Sequence, residues 1–198
     1  MASRAPALQT VLDLAEACIG AAASGDAARA ASEVFERLRN GHGEMDAVGA
    51  RGLPVSDAYL APCIGALASA GSKVAALGQA LAALAPALAW DRRKTSTPAN
   101  QPFHDGHANA TLAGPGGYER REDVWVGATL MAPGILYPDH SHPPEEVYLA
   151  LSEGEWWNSD MEWTEPGRGG IIYNPPGILH AMRSGQRPFL ALWVLPVG

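Results

Sequence analysis

The apolar residues of this 198-residue chain change their spacing near residue 124. Residues 1–90 are rich in Ala and Leu, and stretches such as "ALQTVLDLAEACIGAAA" carry apolar residues at three- and four-residue spacings, which indicates amphipathic helices. From Val124 onwards, short runs rich in Trp, Tyr, Val and Ile are broken by Gly and Pro roughly every ten residues, as in all-β barrels and sandwiches. The strand candidates are "VWVGATLM", "EEVYLAL", "EWWNSDMEW", "GGIIYN", "LHAMRS" and "PFLALWVL".

Between these two parts, residues 91–123 have no apolar periodicity and are dense in turn-forming residues. We therefore predict a mainly β fold in three parts: a helical N-terminal segment (1–90), a long connecting loop (91–123), with a short strand inside it as the alternative, and a small β-barrel (124–198). The histidines outside the predicted barrel are expected to be solvated loop residues; they are His42, His104 and His107. The basic runs are expected to lie on the solvated surface, with a clamp on a substrate carboxylate as the alternative; they are Arg92, Arg93 and Lys94, and Arg120 with Arg121.

Charge and composition exclude some classes of function. The chain has 14 Lys and Arg against 21 Asp and Glu, a net charge of -7, so it lacks the basic surface that binds nucleic acid. Its N-terminus has no unbroken apolar segment typical of a signal peptide, and no run reaches the ~18 apolar residues that span a bilayer. We expect a cytoplasmic protein with no membrane partner, in which Cys18 and Cys63 are reduced core thiols.

The stretch "YPDHSHPPEEVYLAL", residues 137–151, contains the densest group of candidate ligands. His140 and His142 are two residues apart, so they share a face of an extended backbone, and Glu146 follows after two prolines. His180, at the start of a later strand, is the candidate fourth ligand. Neutral imidazole and carboxylate together suit Zn²⁺, Fe²⁺, Mn²⁺ or Ni²⁺, so the sequence predicts one divalent transition metal.

The spacing of these residues resembles the motifs of the cupin superfamily. Gly134-x5-His140-x-His142-x3-Glu146 resembles the first cupin motif, and Gly169-x5-Pro175-x-Gly177-x2-His180 resembles the second. Two departures occur: Gly154 falls one residue later than usual, and Ser184 stands where the second motif usually has Asn. Neither departure removes a ligand. The resemblance implies a cupin fold, a small β-barrel or jelly roll, but no particular reaction.

Two tyrosines narrow the resemblance further. Tyr137 precedes the first histidine and Tyr148 follows Glu146 on the same strand face, a pattern similar to the bacterial cupin-type dimethylsulfoniopropionate (DMSP) lyases of the DddQ group. That family implies metal-dependent cleavage of DMSP to dimethyl sulfide and acrylate, with a tyrosine abstracting the α-proton before β-elimination. Tyr137 and Tyr148 are both candidate bases. His140 either ligates the metal or lies just off it, in which case Tyr148 is the ligand in its place.

The DMSP substrate carries a sulfonium cation, which aromatic faces attract. We name Tyr173 and Trp193 as substrate-binding candidates, with packing in the core as the alternative for each. Glu145 is expected to point away from Glu146 into solvent. Two other functions stay open: another metal-dependent cupin enzyme, an oxygenase or isomerase acting on a small acid or sugar, and a non-catalytic cupin binding protein. Dimerisation through the helices also stays open.

Overall fold

The computed structural model describes residues 4–45, 49–96 and 98–198. Its helices are α1 (Pro6–Ala22), α2 (Gly25–Asn40), α3 (Pro54–Ala66), α4 (Ser72–Leu84) and α5 (Gln101–Gly106), with 3-10 turns at Leu67–Ser69, Ala85–Ala87 and Pro98–Asn100. Helix α1 buries apolar residues at the predicted spacing, among them Leu8, Leu12, Ala15 and Ile19. No helix in the described part of the chain has both the length and the hydropathy to cross a membrane.

The strands form two sheets. In chain order the strands are β1 (Glu44–Met45), β2 (His107–Gly114), β3 (Glu119–Arg120), β4 (Val124–Met131), β5 (Leu136–His140), β6 (Glu146–Ala150), β7 (Glu155–Asn158), β8 (Met161–Thr164), β9 (Ile171–Asn174), β10 (His180–Arg183) and β11 (Phe189–Pro196). The large sheet has the order β1-β3-β2-β4-β11-β6-β9, and the small sheet has the order β5-β10-β7-β8. All pairs are antiparallel except β2 with β3.

The large sheet separates two apolar cores. Successive side chains of a strand point to opposite faces, and β11 shows this alternation clearly. Its residues Leu190 and Leu192 pack with the N-terminal helices. Its residues Ala191 and Trp193 pack inside the barrel, against side chains of both sheets. The predicted fold is confirmed: a cupin-type β-barrel follows an α-helical N-terminal segment, and the helices cover the outer face of the large sheet.

The predicted boundary at residue 124 falls too late. Residues 91–123 are not a simple connecting loop, because they contain α5, β2 and β3. Strand β2 pairs with β4 along its length, from His107 opposite Met131 to Ala113 opposite Val126, and lies inside the large sheet. Its sequence, "HANATLAG", has one β-branched residue, Thr111, and otherwise carries little strand signal. Its small residues Ala108 and Ala110 pack under the helices. Tertiary packing, not local propensity, makes this segment a strand.

Candidate metal and substrate site

Three histidines from separate parts of the motifs meet at one end of the barrel. His140 ends β5, His142 lies in the turn that follows, and His180 begins β10. The pairing of β5 with β10 places His180 directly opposite His140. One ring nitrogen from each histidine belongs to a group whose members all lie within 4.8 Å of one another. The strand register therefore brings together the three histidines that the sequence predicts as ligands.

The other ring nitrogen of each histidine is held by the backbone. The three Nδ1 atoms lie 2.9, 2.9 and 3.0 Å from the carbonyl oxygens of Pro138 for His140, Pro144 for His142 and Ile178 for His180. A carbonyl oxygen only accepts hydrogen bonds, so each Nδ1 carries the hydrogen and donates it. Each Nε2 then keeps a free lone pair that faces the cluster. Metal-binding histidines are commonly fixed by this kind of backbone contact.

Glu146 adds a carboxylate to the cluster from the inner face of β6. Its Oε2 lies 3.1 Å from Nε2 of His142 and 3.3 Å from Nε2 of His180. Burial would raise the pKa of Glu146, but its contacts with the two histidines outweigh burial and hold that pKa below its usual value. Glu146 is therefore an anion inside the barrel.

The donor set fits a divalent cation. Nε2 of His180 is fully buried and has no hydrogen-bond partner among the described residues, although a carboxylate oxygen lies close by. Burial, then the nearby charges of His180 and Arg93, lower the pKa of His140 to about 3, so its imidazole is neutral and able to ligate. An unpartnered buried nitrogen, the neutral imidazole of His140 and one carboxylate are among the donors expected around Zn²⁺, Fe²⁺, Mn²⁺ or Ni²⁺.

Both predicted tyrosines lie inside the barrel. Tyr148 is on β6, two residues after Glu146 and opposite Trp193 of β11. Burial, and then the charge of Glu146, raise the pKa of Tyr148 well above its ordinary value. Tyr137 is on β5, and the centre of its ring lies 4.8 Å from that of His140. The two hydroxyl groups and the histidine cluster therefore belong to one interior.

A chain of hydrogen bonds reaches Tyr137 across the barrel. Nε1–H of Trp193 donates to Oγ1 of Thr129 at 3.0 Å, Thr129 donates to Oδ1 of Asn109 at 2.6 Å, and Nδ2 of Asn109 donates to Oη of Tyr137 at 3.4 Å. An indole nitrogen can only donate, so it fixes the direction of the chain. We call Trp193, Thr129 and Asn109 the polar relay. It holds the Asn109 amide with its NH₂ group towards Tyr137.

The N-terminal side of the barrel contributes residues that the sequence did not indicate. Asn109 was missed because β2 reads as a loop, although the polar-apolar alternation of "HANAT" is a weak strand signal. His107, expected to be a solvated loop residue, is instead fully buried and stacks on Phe103 with 3.8 Å between ring centres. Burial lowers the pKa of His107 to about 4, with a smaller opposing effect from its contact with the Phe103 carbonyl, so the ring is neutral.

The prediction that Tyr173 binds substrate is wrong. Tyr173 lies opposite Val147 in the register of β6 and β9, and both side chains point towards the helices. Its Oη donates to Oε2 of Glu145 at 2.6 Å, and Arg29 of α2 donates to both oxygens of the same carboxylate. Glu145 does point away from Glu146, as predicted, but it is paired and only 11% exposed instead of solvated. Trp193, the other substrate-binding candidate, is inside the barrel.

A cavity of about 310 Å³ opens beside the histidine cluster. Its lining combines polar and aromatic side chains from the segment before α5, from α5 itself and from β5: Arg93, Thr95, Ser96, Asn100, Phe103, Pro138, Asp139 and His140. A separate cavity of about 410 Å³ lies beside β1 and β3, and none of the three clustered histidines lines it. The smaller cavity therefore gives a small molecule access to His140 of the cluster.

The barrel, its two motifs and the histidine cluster define a cupin with a candidate metal site. The family model for dimethylsulfoniopropionate lyases matches residues 26–191, most of the chain. The chain therefore belongs to the DMSP lyase family. This match begins in the first turn of α2 and leaves out α1, so it covers most of the helical segment as well as the barrel motifs.

Individual relatives agree with this assignment. The chain is 31% identical over 119 residues to DMSP lyase DddQ of Ruegeria pomeroyi, covering 60% of this chain and 59% of the relative. It is 32% identical over 114 residues to a candidate DMSP lyase, DddL, of Cereibacter sphaeroides, covering 57% and 47%. The matched region thus spans less than two thirds of either relative. The crystal structure of DddQ from Ruegeria pomeroyi superposes with a TM-score of 0.72 over 96% of this chain and 91% of that chain, at 24% identity, and supports the fold.

Proposed function

We propose that this protein is a metal-dependent carbon–sulfur lyase that cleaves DMSP to dimethyl sulfide and acrylate. The observation that carries the proposal is the convergence of Tyr137, Tyr148 and the histidine cluster on one barrel interior, in a chain of the DMSP lyase family. Either tyrosine hydroxyl is a candidate base, and a metal ion held by the neighbouring ligands is the candidate electrophile. Both are needed because a proton next to a carboxylate is a weak acid.

The metal part of the proposal assigns four ligands. Nε2 of His140, His142 and His180, together with a carboxylate oxygen of Glu146, would hold one divalent Zn, Fe, Mn or Ni ion. When bound, such an ion supplies a Lewis acid that draws electron density from the substrate carboxylate. The backbone carbonyls on the three Nδ1 atoms keep the imidazoles oriented for this role.

The bond changes proposed for the reaction balance without an oxidant. A deprotonated tyrosine takes the proton from the carbon next to the carboxylate, and the released electron pair forms the carbon–carbon double bond. The carbon–sulfur bond breaks at the same time, and its electrons leave with sulfur as dimethyl sulfide. Acrylate remains. Tyr137 and Tyr148 are both proposed for the base, since a nearby cation lowers the pKa of either hydroxyl group.

Release of dimethyl sulfide from DMSP tests the proposal. Protein loaded in turn with Fe, Mn, Ni or Zn is incubated with DMSP, and the headspace is analysed by gas chromatography. We expect wild type and Tyr173→Phe to release dimethyl sulfide, because the Tyr173 hydroxyl faces α2 and not the cavity. Replacing the tyrosine that acts as base, by Tyr137→Phe or Tyr148→Phe, should lower the rate by about 100-fold or more.

Two results would contradict the proposal. If no metal supports release above that of Glu146→Ala, the protein does not cleave DMSP. If Tyr137→Phe and Tyr148→Phe both retain the wild-type rate, neither tyrosine is the base.

A further inference from the structure

Arg93 differs from every other arginine of the chain in having no carboxylate partner. The other arginines each form an ion pair with an aspartate or glutamate. Arg93 forms none with the acidic residues that the structure describes, which are all those of the chain except Asp46. In a protein with a net charge of -7, a cation left without an acidic partner is available for an anionic ligand.

The side chain of Arg93 faces the candidate site. Its guanidinium carbon lies 5.6 Å from the centre of the Tyr137 ring. Arg93 also lines the cavity of about 310 Å³, together with His140 of the histidine cluster. A small molecule that enters this cavity therefore meets a guanidinium group and a candidate metal ligand, and that guanidinium lies next to the ring of Tyr137, a candidate base.

A buried histidine fixes the backbone that presents Arg93. The backbone N–H of Arg93 donates to Nε2 of His107 at 2.9 Å. Nδ1 of His107 pairs with the carbonyl oxygen of Phe103, which makes Nδ1 the donor and leaves Nε2 as the acceptor. The Phe103 ring stacks on the same imidazole. Arg93 is thus anchored to the buried part of β2 although it belongs to a connecting segment.

Arg92, the preceding residue, is occupied elsewhere. Its Nε donates to the carbonyl oxygen of His104 at 2.7 Å, and its guanidinium pairs with Asp105 at 3.3 Å. Two adjacent arginines of the same basic run therefore have different surroundings. Arg92 is tied to α5, whereas Arg93 points to the cavity.

We propose that Arg93 binds the carboxylate of the substrate and sets its orientation, an inference that rests on the proposed function. A planar guanidinium group matches a carboxylate with two parallel hydrogen bonds. A carboxylate has enough lone pairs to accept from Arg93 while it also contacts a metal ion. Arg93 repels the sulfonium group of the same molecule, so DMSP binds with its carboxylate towards Arg93 and its sulfur away from it. Small carboxylates are the ligand class that Arg93 selects.

Binding of acrylate, the carboxylate product, tests this role separately from catalysis. The affinity of zinc-loaded protein for acrylate is measured by isothermal titration calorimetry for wild type, Arg93→Gln, Arg93→Lys and Arg92→Gln. We expect Arg93→Gln to weaken binding by about tenfold or more and Arg93→Lys to weaken it less, because lysine keeps the charge but loses the paired hydrogen bonds. Arg92→Gln should bind like wild type. With DMSP, Arg93→Gln should raise KM far more than it lowers kcat.

The outcomes separate this inference from the proposed function. If acrylate does not bind to wild type, or binds equally to Arg93→Gln and wild type, the role of Arg93 is overturned even when DMSP is cleaved. If acrylate binding depends on Arg93 but no metal supports cleavage, the carboxylate site stands and the lyase function falls. If circular dichroism shows that Arg93→Gln does not fold, Arg93→Lys is used in its place. Wild-type affinity for acrylate and wild-type KM for DMSP in Arg93→Lys would then overturn the role of Arg93.

Discussion

The hydroxyl groups of Tyr137 and Tyr148 stand in different surroundings. Burial raises the pKa of Tyr137, but the charge of Arg93 and the hydrogen bond from Asn109 oppose this effect. At Tyr148, burial and the charge of Glu146 both raise the pKa. The protein thus gives Tyr137 a hydrogen-bond donor and a neighbouring cation, and gives Tyr148 a neighbouring anion. For this reason we expect the polar relay, which ends at Tyr137, to affect turnover.

The first prediction concerns Asn109, a positioning residue. Asn109→Ala should lower kcat for DMSP cleavage by about tenfold with little change in KM, since it removes a hydrogen bond to Tyr137 and no contact with substrate. Thr129→Val, one step further along the polar relay, should have a smaller effect in the same direction. Thr111→Val is the matched control, because its hydroxyl contacts exposed Trp125. Wild-type kcat in Asn109→Ala would show that the polar relay does not position Tyr137.

A second prediction concerns His180 and metal content. His180→Ala removes a ligand that is almost completely buried, so the purified protein should lose most of its bound metal by inductively coupled plasma mass spectrometry. His104→Ala, which changes a histidine outside the cluster, should keep the wild-type metal content. Equal metal content in His180→Ala and wild type would mean that the cluster is not the metal site.

The residues of the candidate site were predictable where their spacing is local. His140 ends β5, Glu146 begins β6 and His142 lies in the short turn between them, so their proximity follows from the local sequence. Tyr173 was misassigned because its face depends on the register between β6 and β9, which are separated along the chain. Asn109 was missed for a similar reason, since its position inside the barrel depends on the pairing of β2 with β4.

At the scale of elements, β4 and β11 approach closely where Trp193 lies over Gly127. A Cβ atom at Gly127 would lie 2.3 Å from two atoms of the Trp193 ring and 2.5 Å from the carbonyl oxygen of Ala110. Only a residue without a side chain leaves this space. Gly127 therefore allows the indole to reach Thr129 and begin the polar relay.

The third prediction follows from this contact. Gly127→Ala should lower the free energy of unfolding by about 1–3 kcal/mol, because the added methyl group overpacks the interior. It should also lower kcat, since Trp193 must shift away from Thr129. Urea unfolding and the dimethyl sulfide assay measure the two effects. Gly185→Ala is the control, because a Cβ atom there meets open space. Wild-type stability in Gly127→Ala would contradict the packing described.

Most strands were predictable, but β1, β2, β3 and β5 were not among the strand candidates. The strand candidates after residue 124 correspond to β4 and to β6 through β11, because their aromatic and β-branched residues alternate between two faces. Strand β2 was missed because alanine and asparagine carry little strand signal. Its place between β3 and β4 is set by pairing and by packing under the helices. Locating the start of the barrel therefore requires the strand order of the large sheet.

At the scale of the whole molecule, Glu119 of β3 ties the N-terminal segment to the barrel. Its fully buried carboxylate accepts hydrogen bonds from Arg4 at 2.5 Å, from Arg121 at 3.3 Å and from the backbone of Gly43 at 2.9 Å. Burial would raise the pKa of Glu119, but these hydrogen bonds outweigh it and hold that pKa below its ordinary value. The ionised form is therefore favoured in the folded protein.

The fourth prediction concerns the ion pairs and hydrogen bonds of Glu119. Glu119→Ala should lower the free energy of unfolding by about 3–5 kcal/mol at neutral pH, because it leaves Arg4 without its carboxylate partner and removes one of the two carboxylates that pair with Arg121. Since the folded-state pKa is depressed, the stabilisation is present above the unfolded pKa of about 4.3 and is lost as the pH falls through the lower folded-state value. Urea unfolding at several pH values should show the difference from wild type shrinking in acid.

A surface pair provides the control for this prediction. Glu122 lies 3.9 Å from Arg120, and both side chains are mostly exposed. Glu122→Ala should therefore change stability by less than about 1 kcal/mol at any pH. If Glu119→Ala changes stability no more than Glu122→Ala, Glu119 does not tie the two parts of the molecule together.

Proton NMR of the complete reaction tests DMSP cleavage most directly. Metal-loaded wild-type protein is mixed with DMSP in a sealed tube, and dimethyl sulfide and acrylate are quantified together while an electrode follows dissolved oxygen in a parallel sample. We expect equal amounts of the two products and no oxygen uptake, because an elimination consumes no oxidant. Unchanged DMSP with every metal, or a product other than acrylate that forms with uptake of oxygen, would contradict the lyase function.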